Sequence, residues 1–146
     1  VRFASALVLC RANLCRSPLG AALLQRRLPA MEIQSAGLSA VREGEAAPAE
    51  VQALAREAGL ELSAHRARVA TPEMIANHDL VLVMSASQRQ AVSELAPFAT
   101  GKTLLFAHWL DGIDIPDPYR KSLDAHRQVF VMLSDAADAW HRRLAP

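Results

Sequence analysis

The chain has 146 residues, 51% hydrophobic and 21% charged, a balance expected of one globular domain over residues 1–146 and not of a disordered segment. Lys and Arg number 16 against 15 Asp and Glu, a net charge of +1, and aromatics are 5%; neither the basic field nor the stacking surface of a nucleic-acid binder is there, so no nucleic-acid partner is expected. The 2 cysteines, Cys10 and Cys15, are too few for a disulfide scaffold or a four-cysteine zinc site.

Phe3 to Cys10 reads as a short buried strand rich in Leu, Val and Ala. Ser17-Pro18 predicts an N-cap followed by proline at the first helical position, opening a helix to Leu28. Met31 to Ser35 is a second strand, ended by Ala36-Gly37, and Pro48 to Ala58 a second helix, stopped by Gly59. Thr71-Pro72 opens a short third helix. Asp79 to Met84 is the clearest strand, Ser87 to Leu95 a further helix, and Lys102 to Phe106 a fourth strand. The last helix spans Ser122 to Leu144, with Leu123, Phe130, Leu133, Ala137, Trp140 and Leu144 proposed as its inward face. Strands alternating with helices predict a three-layer α/β/α fold around a four-stranded parallel sheet. Ligands of such sheets sit at the carboxyl ends of the strands, where the strand order reverses. No apolar run approaches the roughly 20 residues of a membrane span, so a cytoplasmic location without membrane insertion is expected.

The loop after the first strand reads Cys10-Arg11-Ala12-Asn13-Leu14-Cys15-Arg16-Ser17. Five residues between Cys10 and Arg16 suffice to wrap one tetrahedral oxyanion. Backbone N–H groups of residues 11–16 (Arg11, Ala12, Asn13, Leu14, Cys15 and Arg16) would form an anion nest, and the helix behind it adds its positive end. Arg16 can fork two phosphoryl oxygens, and the positive potential favours Cys10 as a thiolate nucleophile. The Ser17 hydroxyl can donate to its sulfur. Taken alone, the Cys-to-Arg spacing equally describes a buried strand-end cysteine beside a solvent-exposed arginine. The strand before it, the Ser-Pro pair after it and Asn13 within it, a residue that tolerates the left-handed conformation, favour the phosphate loop. Attack on a phosphate ester also needs a proton for the leaving oxygen. Asp117, held between Pro116 and Pro118, is the candidate general acid. Asp111 and Asp114 are read as turn or surface carboxylates. The five histidines, His65, His78, His108, His126 and His141, show no metal-ligand spacing, and neither metal nor organic cofactor is required by this chemistry.

These residues resemble the signature of the low-molecular-weight protein tyrosine phosphatases, in which a strand leads into Cys-x-Gly-Asn-x-Cys-Arg-Ser-Pro and a helix. Cys10, Asn13, Cys15, Arg16, Ser17 and Pro18 stand in that frame, and Ala12 departs from the usual Gly. If position 12 requires a positive φ, Ala strains the loop. The resemblance implies phosphotyrosine as substrate and an Asp-Pro-Tyr acid loop matched by Asp117, Pro118 and Tyr119. Tyr119 and Leu38 would flank the substrate, Ser35 and His65 would hold Asn13, and Cys15 could pair with Cys10 on oxidation. Segments 101–109 and 115–122 are similar to the bacterial exopolysaccharide branch, with Arg120 where animal members often carry a second Tyr. That branch implies a partner: the cytoplasmic tail of a membrane tyrosine autokinase. An arsenate reductase on the same fold would need relay cysteines after Cys15, and there are none; a non-catalytic phosphate-binding module is the other alternative.

Overall fold

The computed structural model describes residues 3–146. Four strands, β1 (Ser5–Cys10), β2 (Glu32–Gly37), β3 (Leu80–Val83) and β4 (Thr103–Leu105), form one sheet in the order β2-β1-β3-β4. Every pairing is parallel, with Cys10 opposite Gly37 and Val8 opposite both Ser35 and Leu82. The helices are α1 (Arg16–Arg27), α2 (Ala49–Glu57), α3 (Pro72–Ala76), α4 (Ala86–Leu95) and α5 (Leu123–Leu144), with a 3-10 segment at Pro97–Lys102.

Side chains alternate across the sheet with the period of two that strands impose. Ala6, Val8, Cys10, Leu80, Leu82 and Met84 face one apolar cluster with Leu23 and Leu24 of α1, Val51 of α2, and Leu133 and Trp140 of α5. Leu7, Leu9, Val81 and Val83 face a second with Ile75 of α3 and Val92 of α4. Both faces of the sheet are thus covered, as an all-parallel sheet demands. The chain leaves β1 towards β2 on one side and returns to β3 on the other. The loop after Cys10 therefore opens at the reversal of strand order, where no crossover helix closes the end of the sheet.

The elements follow the expected order, with local differences. Phe3 lies outside β1 and is 38% exposed; the strand starts at Ser5. Ser17 is not the cap of α1. The helix begins at Arg16 with Cys15 at the N-cap and no side-chain cap. The Ser17 hydroxyl is engaged elsewhere, between Asn13 and Cys10. On α5 the buried stripe runs through His126, Val129, Leu133, Ala136, Ala137 and Trp140. Leu123 is exposed because, at 100° per residue, it points about 80° away from Leu133. Trp140, deep in the core, donates its indole N–H to the Phe106 carbonyl at 2.7 Å. No helix among the described residues is long and apolar enough to cross a membrane.

Candidate active site

β1 delivers Cys10 to the floor of a cleft of about 240 Å³ lined by Cys10, Arg11, Ala12, Leu14, Cys15, Arg16, Val41, Arg42, Asp117 and Tyr119. Between Cys10 and α1 the backbone wraps tightly, and Asn13 takes the left-handed conformation with φ 61°. Ala12 does not, so the strain anticipated at position 12 is absent. Glycine is required instead beneath the loop. A Cβ on Gly37 would lie 3.0 Å from the Ala12 carbonyl carbon and from the Asn13 nitrogen.

Asn13 is fully buried and acts as the keystone under the loop. Its Nδ2 donates to Ser17 Oγ at 2.7 Å and to Ser35 Oγ at 3.0 Å. Its Oδ1 accepts from the Arg68 backbone N–H at 3.0 Å, and its carbonyl accepts from His65 Nε2 at 2.7 Å. A carbonyl can only accept, so His65 carries its proton on Nε2. Burial holds the His65 pKa below its ordinary value, outweighing the opposite pull of that hydrogen bond.

Among the described residues, no protein acceptor takes the backbone N–H groups of residues 11–17. Residues 13–17 are buried, and buried donors are almost always partnered. A run of them at an uncapped helix start is an anion cradle. Arg16 closes it: its side chain is buried, Nη1 donates to the Ile115 carbonyl at 2.9 Å, and Nη2 lies 3.8 Å from Asp117 Oδ2. Its Nε is buried with no partner at all, a donor left for an incoming acceptor.

Cys10 Sγ lies 3.0 Å from Ser17 Oγ. Because Asn13 already donates to that oxygen, the single hydroxyl proton has two acceptors in reach, the Cys10 sulfur and the Ala36 carbonyl at 3.4 Å, and the sulfur is the nearer. Burial, with further help from the negative charge on Cys10, pushes the Cys15 thiol up to about 12, so it remains protonated near neutrality. Both cysteines are free thiols.

Asp117 stands at the opposite lip with its side chain 44% exposed. Its Oδ1 accepts from the Tyr119 backbone N–H at 3.1 Å, which leaves Oδ2 turned to Arg16 and the cleft. The segment before it is pinned at three points. The Ile115 N–H donates to the Met84 carbonyl at 2.8 Å, the Ile115 carbonyl accepts from Arg16, and Asp114 Oδ1 accepts from the Ala86 N–H at 3.0 Å. Asp114 is therefore more than a surface carboxylate: it ties the Asp117 loop to the first turn of α4.

One further residue departs from the sequence reading. Leu38 does not line the cleft; it packs into the second apolar cluster, on the far face of the sheet. Val41 and Arg42, three and four residues further along the same loop, supply that wall. The Asn13 and Ser17 side chains lie below the loop and shape it without facing the cleft. No group of three or more His, Cys, Asp or Glu among the described residues could hold a metal ion.

The sequence profile of the family described as low molecular weight phosphotyrosine protein phosphatase matches residues 5–146. The chain belongs to that family. Low molecular weight protein-tyrosine-phosphatase Etp of Escherichia coli strain K12 is 42% identical over 147 residues, covering 99% of this chain and 97% of that protein. The structure of Vibrio vulnificus Wzb in complex with benzylphosphonate shares 36% identity at a TM-score of 0.95, covering 97% of this chain and 99% of that one. The Erwinia amylovora tyrosine phosphatase AmsI shares 40% identity at a TM-score of 0.95, covering 100% and 96%. The phosphatase fold thus carries the Cys10 loop, the Arg16 side chain and the Asp117 loop on one end of its sheet.

Proposed function

We propose that this chain is a cysteine-dependent protein-tyrosine phosphatase, folded as a single domain, that works through a cysteinyl-phosphate intermediate. The observation that carries the reading is the set of unpartnered donors around Cys10. They are the N–H groups of residues 11–17 and the buried Arg16 Nε. They match a trigonal phosphoryl group whose three oxygens need donors as the transition state forms.

In the first step the Cys10 thiolate attacks phosphorus in line. The S–P bond forms, the bond to the tyrosyl oxygen breaks, and the proton on Asp117 Oδ2 passes to that oxygen. The Ser17 hydroxyl donates to the sulfur before the attack and again when sulfur leaves. In the second step Asp117 accepts a proton from water as the water oxygen attacks phosphorus. The S–P bond breaks and inorganic phosphate departs. The cleft walls, Leu14 and Tyr119 with Val41 at the mouth, suit an aryl ring between the cradle and solvent.

The experiment is hydrolysis of p-nitrophenyl phosphate and of phosphotyrosine and phosphoserine peptides by the wild-type chain and by Cys10→Ser. The reading expects turnover of both aryl substrates, far less of phosphoserine, and none by Cys10→Ser. Wild-type turnover no greater than that of Cys10→Ser would leave a phosphate-binding module instead. Within this reading the substrate is the phosphotyrosine-bearing cytoplasmic tail of a bacterial membrane autokinase that serves exopolysaccharide or capsule export, and the site of action is the cytoplasm. Segments 101–109 and 115–122 support that assignment through their likeness to the exopolysaccharide branch. Release of phosphate from such a phosphorylated tail, and not from a phosphoserine control, is its test.

A further inference from the structure

We propose that the cleft continues into a second anion subsite formed by Arg42 and Arg120. The preferred substrate then carries a carboxylate or a phosphoryl group on a residue flanking the phosphotyrosine. This rests on the phosphatase reading above and adds a specificity determinant to it.

Two guanidinium groups from different parts of the chain converge on one ring at the cleft mouth. The Arg42 guanidinium carbon lies 5.6 Å from the Tyr119 ring centroid and that of Arg120 lies 5.3 Å from it. Tyr119 and Arg42 both line the cleft, whereas Arg120 stands exposed just outside it. Cation–π contact with Tyr119 fixes the direction of both side chains, leaving their N–H forks available for a planar anion.

The backbone under Arg120 is an independent observation. The Lys121 N–H donates to the Pro118 carbonyl at 2.9 Å, closing a four-residue turn with Arg120 at its third position. Arg120 holds φ 60° there, the left-handed region in which a turn of this kind ordinarily takes Gly or Asn. Backbone preference therefore does not explain arginine at this position. A residue kept in an unfavourable conformation beside an active site points to what its side chain does.

Charge pairing leaves both groups open to substrate. Among the described residues Arg120 has no ion pair, and Arg42 pairs with Glu45 at 3.6 Å, with 32% and 47% of the two side chains exposed. Such a solvated pair is readily exchanged for another anion. Asp117, the carboxylate that lines the cleft itself, lies against Arg16 and is protonated when substrate binds in the proposed mechanism. With the phosphotyrosyl group in the cradle, an extended peptide advances about 3.5 Å per residue. Side chains one and two places from the phosphotyrosine therefore pass over the rim that Arg42 and Arg120 occupy.

The test compares three phosphotyrosine peptides of one sequence whose flanking positions carry Ser, Asp or a second phosphotyrosine. The readout is the ratio of kcat/KM for each acidic peptide to that for the Ser peptide, which a merely structural role of Arg120 does not move. For the wild-type chain at low ionic strength the ratio is expected to be about 3 or more with Asp and about 10 with the second phosphotyrosine, both shrinking as salt is added. In Arg120→Glu the ratio should fall to 1 or below. Arg120→Gly, which suits φ 60° and removes only the cation, should lower it towards 1. A gain confined to the diphosphorylated peptide assigns the subsite to phosphoryl groups, and a gain with both assigns it to anions generally. Equal kcat/KM for all three peptides, or an undiminished ratio in both variants, overturns the proposal while leaving the phosphatase reading intact. Loss of the phosphatase reading would show differently, as wild-type hydrolysis of p-nitrophenyl phosphate no faster than by Cys10→Ser, and the subsite falls with it.

Discussion

Replacing Gly37 by alanine tests whether the cradle is held in place from below. The Cβ of an alanine would sit 3.0 Å from the Ala12 carbonyl carbon, 3.0 Å from the Asn13 nitrogen and 3.1 Å from the Arg11 carbonyl oxygen. All three are backbone atoms of the phosphate loop, so no rotamer change relieves the contact. Gly37 cannot retreat either: its N–H donates to the Arg68 carbonyl at 2.8 Å and its carbonyl accepts from the Ala70 N–H at 2.7 Å. The loop must therefore rise by about 0.4 Å or more to restore ordinary contact distances. Overpacking of this kind costs about 1–3 kcal/mol, and each kcal/mol lowers Tm by about 2–4 °C in a chain of this size. A displacement of about 1 Å at reacting groups can cost about 100-fold in rate, so about 0.4 Å predicts a loss near tenfold in kcat. The inhibition constant of inorganic phosphate should rise with it, since the same N–H groups hold both ligands. Thermal melting, p-nitrophenyl phosphate kinetics and phosphate inhibition measure the three effects. A Gly37→Ala protein with wild-type Tm and kcat within twofold of wild type would refute the close-approach argument.

The remaining expectations concern the acid loop, Cys15 and His65. Asp117→Asn should lower turnover about 100-fold or more on phenyl phosphate, a poor leaving group, and far less on p-nitrophenyl phosphate; equal losses on both would argue against the acid role. Asp114→Ala should show the same leaving-group dependence in weaker form, with a stability loss of about 1 kcal/mol from the freed Ala86 N–H, and a wild-type profile would remove its anchoring role. Brief alkylation at pH 7 followed by peptide mass spectrometry should leave Cys15 unmodified, because a thiol with a pKa of about 12 is almost wholly protonated there; ready labelling of Cys15 at that pH would contradict its raised pKa. His65 has a folded pKa below its unfolded value of about 6.5, so its contribution to stability is complete above that value and is lost as pH falls through the folded one. Urea titrations between pH 7 and 5 should therefore show a decline that His65→Gln, which still offers a donor to Asn13, makes shallower. Parallel pH curves for the two proteins would exclude the effect.

Much of the frame was legible because local rules and tertiary structure agree. Apolar runs at the four strands, Thr71-Pro72 as the opening of α3 and Asn13 as the left-handed residue each follow from backbone chemistry that needs no distant partner. Ser17 was misread because Ser-Pro is a strong local cap signal, while its hydroxyl is claimed by Asn13 and Cys10 once the loop folds. Leu123 fitted a spacing of seven, but a straight helix of 3.6 residues per turn drifts off such a stripe over several turns. Val41 and Arg42 lie in an irregular loop, where no periodicity marks which side chains face the cleft. Gly37 was visible only as a strand ending; its close approach to residues 11–13 depends on how the loop folds back over β2.

Arg16 gives the site a coupling that neither loop has alone. Its Nε has no protein partner, yet its Nη1 is already bound to the Ile115 carbonyl, two residues before Asp117. One guanidinium plane therefore fixes the distance between the cradle and Asp117. The plane is fixed in turn because the side chain is buried at the start of α1, whose first residue it is. A lysine could supply the charge but not three donors in a rigid plane, so it could not hold Ile115 and fork the phosphoryl oxygens together. In the proposed mechanism, substrate binding and placement of the proton donor thus depend on the same side chain. The free mouth of the cleft, where Arg42 and Arg120 meet solvent, is the part that can vary without disturbing either.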